Sequence, residues 1–270
     1  MRAETFRAVA EAVRAGEPVV VASVVESDGS APLGADMVLR PDAAPEGSFG
    51  QGDLDAAVAR DALGALDAGR STTRHYGPRG EARGQAVAVF LDVYAPPPEM
   101  VVIGAVDFTA ALVDAAKLLG YRVTVCDPRP VFATPRRFPR ADEVVAAWPD
   151  RFLEERGGRL GPRDAVCVLT HDHKFDVPAL LAALRTGAGY VGAMGSRRTH
   201  AERVERLREA GVDEAGLGRL MAPIGLDIGA RTPQETAIAI CAEIIACRTG
   251  ASGRSLRELD GPIHKAVAPA

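Results

Sequence analysis

Beyond Pro96-Pro97-Pro98 the chain repeats one pattern, and that pattern restricts the possible folds more than any other feature. A short, largely apolar run is followed by a stretch with helical spacing, and the pair recurs. The runs are Val101-Val102-Ile103, Tyr121 to Cys126, Ala165 to Leu169 and Tyr190 to Ala193. Each is too short for a helix, and a strand that is apolar along its length is buried on both faces. Alternation with helices therefore predicts a parallel sheet covered on both sides. The helices are expected from just after Gly104 to Leu119, from about Pro178 to Leu184 and from about Arg197 to Ala210. A last helix starts at Thr232, where Thr232 is the N-cap, Pro233 takes the first helical position and Glu235 completes a capping box.

The chain before the prolines reads as a smaller α/β unit. A helix from about Glu4 to Ala15 stops at Gly16-Glu17-Pro18. Strands follow at Val19 to Val25 and Asp36 to Arg40, separated by the glycine-bearing loop Ser27 to Gly34. A loop around Gly47–Gly52 leads to a helix from about Asp53 to Ala68, and strands around Ser71–Tyr76 and Gln85–Val93 close the unit. Consecutive prolines cannot continue a helix or a strand interior and favour a stiff, extended connector. The expected organisation is an N-terminal domain over 1–94, a linker over 95–99, a Rossmann-like domain over 100–250 and a small, polar tail over 251–270.

Composition excludes several classes. Of 270 residues 47% are hydrophobic and 25% charged, the balance of a globular core with a solvated surface. A net charge of −4 argues against a nucleic-acid partner, which needs clustered Lys and Arg. Met1 to Phe6 carries an early acid and no apolar segment follows, so no secretory signal is expected, and no run approaches the ~20 residues that span a bilayer. The expected location is the cytoplasm. The four cysteines, Cys126, Cys167, Cys241 and Cys247, form no C-x-x-C pair and are expected as buried free thiols.

In a parallel α/β sheet the ligand crevice lies outside the carboxyl ends of the strands. The polar and glycine-bearing loops fall there: Gly104 to Phe108, Asp127 to Pro130, Thr170 to Asp176, and Met194 to Thr199. In the first loop, Val106 stands where a dinucleotide fingerprint needs its second glycine, and Thr109 where it needs the third. Asp127 follows Gly104 at near the ~20-residue spacing of a ribose-binding acid. Two readings stay open, a nucleotide site and a Rossmann fold whose nucleotide site is weakened. Gly195-Ser196-Arg197-Arg198 joins a helix N-terminus to two guanidinium groups, an arrangement suited to an anion. His171 and His173 flank Asp172 without further metal-ligand spacing, so acid–base work or ligand hydrogen bonding is expected there and no metal site. His75, His200 and His264 are expected at the surface.

These residues resemble the XdhC/CoxI family, accessory proteins for maturing molybdenum hydroxylases such as xanthine dehydrogenase and carbon monoxide dehydrogenase. The resemblance covers nearly the whole chain. It rests on Gly29-Ser30-Ala31-Pro32 with Gly34-Ala35, and on Leu169-Thr170-His171-Asp172 with Lys174-Phe175-Asp176. It rests further on Tyr190-Val191-Gly192 with Gly195-Ser196-Arg197-Arg198-Thr199, and on Pro223 to Ala230 with Thr232-Pro233. The resemblance implies an α/β chain in which a small N-terminal XdhC/CoxI domain precedes a Rossmann-like parallel-sheet domain. It implies a non-catalytic, homodimeric chaperone. Such a protein binds the molybdenum cofactor (molybdopterin in its mono- or dinucleotide form), guards it while a cysteine desulfurase adds the terminal sulfur, and delivers it to the apo-hydroxylase. The expected cofactor contacts are Gly104, Asp107, Asp127, His171, His173, Lys174, Gly195, Ser196, Arg197 and Arg198, with His171 and Asp172 as the acid–base candidates.

Two departures matter. Many family members carry Gly-Gly-Cys-Val-Glu in the N-terminal domain, and here the stretch is Gln51-Gly52-Asp53-Leu54-Asp55, with Asp53 in place of the thiol. A carboxylate cannot ligate molybdenum as a soft thiolate does, nor carry a persulfide sulfur. Cys126, beside Asp127, is the substitute thiol considered. The second departure is Val106, which weakens NAD(P) binding. The alternatives are an NAD(P)-dependent oxidoreductase with His171 as acid–base, for which no Tyr-x-x-x-Lys pair is present, and a nucleotide-sensing regulator.

Overall fold

The computed structural model describes residues 3–41, 43–82, 84–170 and 172–260, apart from the side chain of His173. The chain divides into two compact units between Pro96 and Pro97.

The N-terminal unit is built on strand β1 (Val19–Ser27), which lies at the centre of an antiparallel sheet. On one side it pairs with β2 (Asp36–Leu39) and then β3 (Glu46–Gly47); on the other with β5 (Val87–Tyr94) and then β4 (Thr72–Tyr76). Successive side chains of a strand point to opposite faces. Val20, Ala22 and Val24 therefore meet Leu54, Val58 and Leu66 of helix α2 (Gly52–Ala68). Val19 and Val21 meet Val9 and Ala12 of helix α1 (Ala3–Ala15) on the other face. Helices on both faces explain why β1 opens with four consecutive buried residues rather than an alternating pattern.

The C-terminal unit is a six-stranded parallel sheet in the order β11-β10-β9-β6-β7-β8. The strands are β6 (Glu99–Ile103), β7 (Arg122–Cys126), β8 (Glu143–Val145), β9 (Ala165–Val168), β10 (Tyr190–Ala193) and β11 (Leu220–Met221). The chain starts in the middle at β6, winds outward through β7 and β8, then returns to the other side of β6. This is the doubly wound Rossmann order, with its switch point between β6 and β9. Met100, Val102 and Val125 pack under α3 (Asp107–Leu118) and α8 (Pro233–Thr249). Val101, Ile103 and Val168 pack under α4 (Pro149–Arg156), α5 (His173–Leu184) and α6 (Arg197–Glu209). The capping box at the start of α8 forms as the sequence predicts, Thr232 and Glu235 each accepting from the other's backbone N–H.

Helix α5 begins at His173 rather than near Pro178. The Asp172 carboxylate accepts the Lys174 N–H at 3.0 Å and caps the helix there. Pro178 then sits inside the helix and has no N–H to offer the Lys174 carbonyl, one lost hydrogen bond that the cap and the burial of Ala179 and Leu180 outweigh. The short helix α7 (Glu214–Gly218) and strands β8 and β11 are additions to the elements expected from the sequence.

At the switch point Gly104 has φ 109°, and a Cβ built on it would lie 2.9 Å from the Thr170 backbone nitrogen. Gly120 also has positive φ, 82°, but meets nothing within 4 Å. Gly120→Ala should therefore cost about 1 kcal/mol, whereas Gly104→Ala should cost about 3 kcal/mol, since a clash adds to the strain. Urea denaturation midpoints measure both, and equal losses would show that the close approach carries no weight.

Candidate functional site

The loop leaving β6 is tied to its neighbours on both sides. The Gly104 N–H donates to the Cys126 carbonyl at 2.8 Å, and the Leu169 N–H donates to the Ile103 carbonyl at 2.8 Å. The buried Thr109 hydroxyl donates to the Gly104 carbonyl. Asp127, at the end of β7, is 1% exposed. Its Oδ2 accepts the Ala105 N–H at 2.7 Å and Arg129 Nη2 at 2.8 Å. Its Oδ1 accepts the Arg129 N–H and Nε, both at 2.9 Å. Burial pushes the Asp127 carboxyl upward, but the Arg129 side chain and the Ala105 and Arg129 backbone N–H groups more than offset it and hold the group below the ordinary carboxylate value.

Val106 is the N-cap of α3 in an extended conformation, φ −107°, which requires no glycine, and its side chain packs partly against the core beneath α3 and α8. Asp107 is the acid in the first turn of α3, and its side chain is 90% exposed. Arg137 spans this loop, its Nη1 donating to the Ala105 carbonyl at 3.0 Å and its Nη2 lying 3.4 Å from Asp107.

The loop leaving β10 has the opposite polarity. Ser196 is the N-cap of α6 and accepts the Thr199 N–H at 3.1 Å, and no acid stands in the first turn. Gly195, Ser196, Arg197 and Arg198 are accessible, and Arg198 forms a surface pair with Glu202 at 3.1 Å. Beneath them Arg203 is completely buried. Its Nη2 donates to the Met194 carbonyl at 2.9 Å and to Asp176 at 3.0 Å, while its Nε and Nη1 have no hydrogen-bond partner among the described residues. Nη1 lies 3.6 Å from where a Cβ on Gly195 would stand. The Nδ1 of the half-buried His200 also has no partner among the described residues, and burial, then the charge of Arg203, hold its pKa below the usual histidine value. Arg203 is thus a buried guanidinium paired with Asp176 whose other two nitrogens are unpartnered among the described residues, and it lies beneath a helix N-terminus, whose dipole and open N–H groups favour an anion.

Between these corners lies the turn from β9 into α5. Asp172 is exposed, and its N–H donates to the Thr170 hydroxyl at 3.1 Å. Lys174 Nζ lies 5.2 Å from the Trp148 ring and 5.9 Å from the Phe175 ring, which meet edge to face at 5.4 Å. Asp176 is buried against Arg203 and so links α5 to the β10 exit. His171 and His264 lie outside the described residues, and His75 is exposed. The structure thus brings Gly104, Asp107 and Asp127 together around one loop, and gathers Gly195, Ser196, Arg197 and Arg198 around another. Arg203 carries no signal as a site residue except its spacing to Leu207, which puts both on the buried face of α6.

The thiols are poor nucleophiles where they are buried. Burial, with the Asp127 charge second, pushes Cys126 up to about 12, and burial pushes Cys241 up to about 11. Cys167 is buried and raised in the same direction. Cys247 is exposed, contrary to the expectation, because it falls on the outer side of the last turns of α8. In the N-terminal unit, Gln51 Nε2 donates to the Ser30 carbonyl at 2.8 Å and ties the Gly29–Gly34 loop to the start of α2, where Asp53 is exposed. Among the described residues, no three His, Cys, Asp or Glu side chains gather as a metal site, and no helix is long and apolar enough to cross a membrane.

Comparison with known proteins matches this architecture. The profile described as the XdhC Rossmann domain covers residues 100–244, and the one described as the XdhC and CoxI family covers residues 12–77. The chain belongs to the XdhC/CoxI family. It is 32% identical over 244 residues to the uncharacterized protein YqeB of Escherichia coli, covering 87% of this chain and 44% of that protein. It is 32% identical over 164 residues to a probable xanthine dehydrogenase subunit of Bacillus subtilis, covering 61% of this chain and 47% of that protein. The chain therefore spans about half the length of these two relatives. The molybdenum cofactor insertion chaperone PaoD of Escherichia coli is 26% identical over 285 residues, covering 90% of this chain and 87% of that protein. A solved structure described as a xanthine dehydrogenase from Bacillus halodurans shares the fold, with TM-score 0.51 and 20% identity over 92% of this chain and 97% of that one.

Two outcomes check the site. Alkylation of the native protein with a maleimide at neutral pH should label Cys247 alone, and rapid labelling of Cys126 would contradict its burial. Asp127→Asn should lower stability by about 1–3 kcal/mol at pH 7. Because the folded carboxyl lies below its unfolded value of ~3.9, the wild-type advantage is complete above that value and fades as pH falls through the folded pKa. Urea denaturation of both proteins from pH 7 to pH 3 measures this, and a gap independent of pH would contradict it.

Proposed function

We propose that the carboxyl edge of the parallel sheet binds the molybdenum cofactor, and that the protein is a maturation chaperone for a molybdenum hydroxylase of the xanthine dehydrogenase or carbon monoxide dehydrogenase type. The observation that carries this reading is the start of α6, where accessible backbone N–H groups, Arg197 and Arg198 lie above the buried Arg203, which pairs with Asp176 and has two nitrogens unpartnered among the described residues. The cofactor's pterin ends in a phosphate ester, which suits such a corner in charge and in hydrogen-bonding geometry. The molybdenum cofactor insertion chaperone among the relatives, and the probable xanthine dehydrogenase subunit, support the same role.

In this reading Gly195 and Ser196 present backbone to the phosphate and Arg197 and Arg198 close over it. Gly104, Asp107 and Asp127 form the neighbouring wall. Lys174, His171 and His173 hydrogen-bond the pterin, and His171 with Asp172 handles any proton that moves during sulfur exchange. A hard carboxylate at Asp53 offers molybdenum no thiolate, so the cofactor is held through its organic part while a cysteine desulfurase supplies sulfur. The protein works in the cytoplasm as a homodimer and hands the cofactor to the apo-hydroxylase without turnover of its own.

Replacing Arg197 and Arg198 together with alanine should weaken binding of the isolated cofactor by about 10–100-fold, the loss of one or two charge-assisted contacts. Fluorescence titration measures this, with a thermal melt to show that the variant is folded. A folded variant with wild-type affinity would overturn the placement.

A further inference from the structure

The same sheet edge carries a second cationic cluster, on the segment between β7 and β8. The guanidinium carbons of Arg129 and Arg137 lie 4.6 Å and 5.5 Å from the centre of the Phe132 ring, so one ring holds both cations. Arg137 is also 5.4 Å from the Phe138 ring. Arg129 and Phe132 are exposed and Arg137 is partly so. Each guanidinium is held on one side, that of Arg129 through Nε and Nη2 by Asp127 and that of Arg137 through Nη1 by the Ala105 carbonyl.

Position gives the cluster its meaning. In a doubly wound sheet of this order, the acid at the end of the second strand accepts the ribose hydroxyls of a bound nucleotide. Asp127 occupies that place. A carboxylate has about four acceptor sites, and all of them are taken, by Ala105 N, Arg129 N, Arg129 Nε and Arg129 Nη2. A ribose diol would have to displace the Arg129 guanidinium to reach it. The remaining N–H groups of Arg129 have no acceptor among the described residues, and its guanidinium shares the Phe132 ring with that of Arg137. The other acids near the cluster are Asp107, 3.4 Å from Arg137, and Asp172, whose charge reaches Arg129. Both are exposed, so water screens them and an incoming dianion can replace them.

We propose that Arg129 and Arg137, held together by Phe132, form a subsite at the end of β7 for a nucleotide whose ribose carries a phosphate ester, and that a nucleotide with a free ribose diol is not accepted there. Paired guanidinium groups match phosphate oxygens in geometry as well as charge. The subsite stands independently of what binds at α6.

The test is calorimetric titration of the full chain with adenosine 2′,5′-bisphosphate and with adenosine 5′-monophosphate, which differ only in the ribose phosphate. The bisphosphate should bind at least about tenfold more tightly, the effect of one good charge-assisted contact. Arg137→Gln, which leaves the Asp127 bonds intact, should remove about tenfold of that preference, while Arg140→Gln, on a surface pair with Asp114, should leave it within about twofold. Arg129→Gln should remove the preference and, by freeing Asp127, strengthen binding of the monophosphate. Equal affinity for the two nucleotides, binding of neither, or a folded Arg137→Gln protein with the wild-type preference would overturn the proposal. The cofactor titration of the Arg197 and Arg198 variant reads the other corner, so either reading can fail alone.

Discussion

Asp127 and Gly104 together hold the loop on which the crevice is built. The buried carboxylate at the end of β7 fixes the Ala105 N–H at 2.7 Å, and the bare Cα of Gly104 lets the Thr170 backbone approach from β9. Strands on both sides of the switch point thus grip one short turn. Neither contact survives easily alone. An Asp127 without its four donors would be a buried charge without compensation, and a side chain at Gly104 would push the β9 exit away. The loop is therefore a wall held from both sides, with the Gly104 and Ala105 N–H groups and the Asp127 carboxylate already paired.

Cations flank this wall. At the β10 exit a completely buried guanidinium keeps two nitrogen positions unmatched beneath the N-terminus of α6. Leaving such donors unpaired costs about 1–3 kcal/mol each. At the β7 exit Arg129 covers the one acid that would accept sugar hydroxyls. In the proposed readings both corners favour phosphate over a nucleotide's ribose diol. Asp53 offers no soft thiolate ligand in the N-terminal unit, so the proposed cofactor binding rests on oxyanion recognition in the second unit.

The parts of the fold legible in the sequence are those written in periodic apolar runs and in capping chemistry. Val101-Val102-Ile103, Ala165 to Val168 and Tyr190 to Ala193 are strands, and the Thr232–Glu235 box opens α8. Strands β3 and β11, two residues each, have no period to read, and β8 at Glu143–Val145 has barely one. The start of α5 is hidden because Pro178 imitates a first-turn proline while Asp172 supplies the actual cap. Spacing locates Asp127 at the sheet edge but does not show where its oxygens point, since hydrogen bonds to Ala105 and Arg129 depend on how the loop closes. Arg203 reads as one more charge in an arginine-rich helix, and only the packing of α6 shows that it lies inside.

The proposed site of the anionic cofactor is the carboxyl edge of the second unit. Amide hydrogen exchange of the full chain, alone and saturated with isolated molybdenum cofactor, tests it most directly. Slowed exchange is expected at residues 104–107 and 195–199, with residues 19–27 of the N-terminal sheet unchanged. Unaltered exchange at both edge loops, or slowing confined to the N-terminal unit, would contradict it.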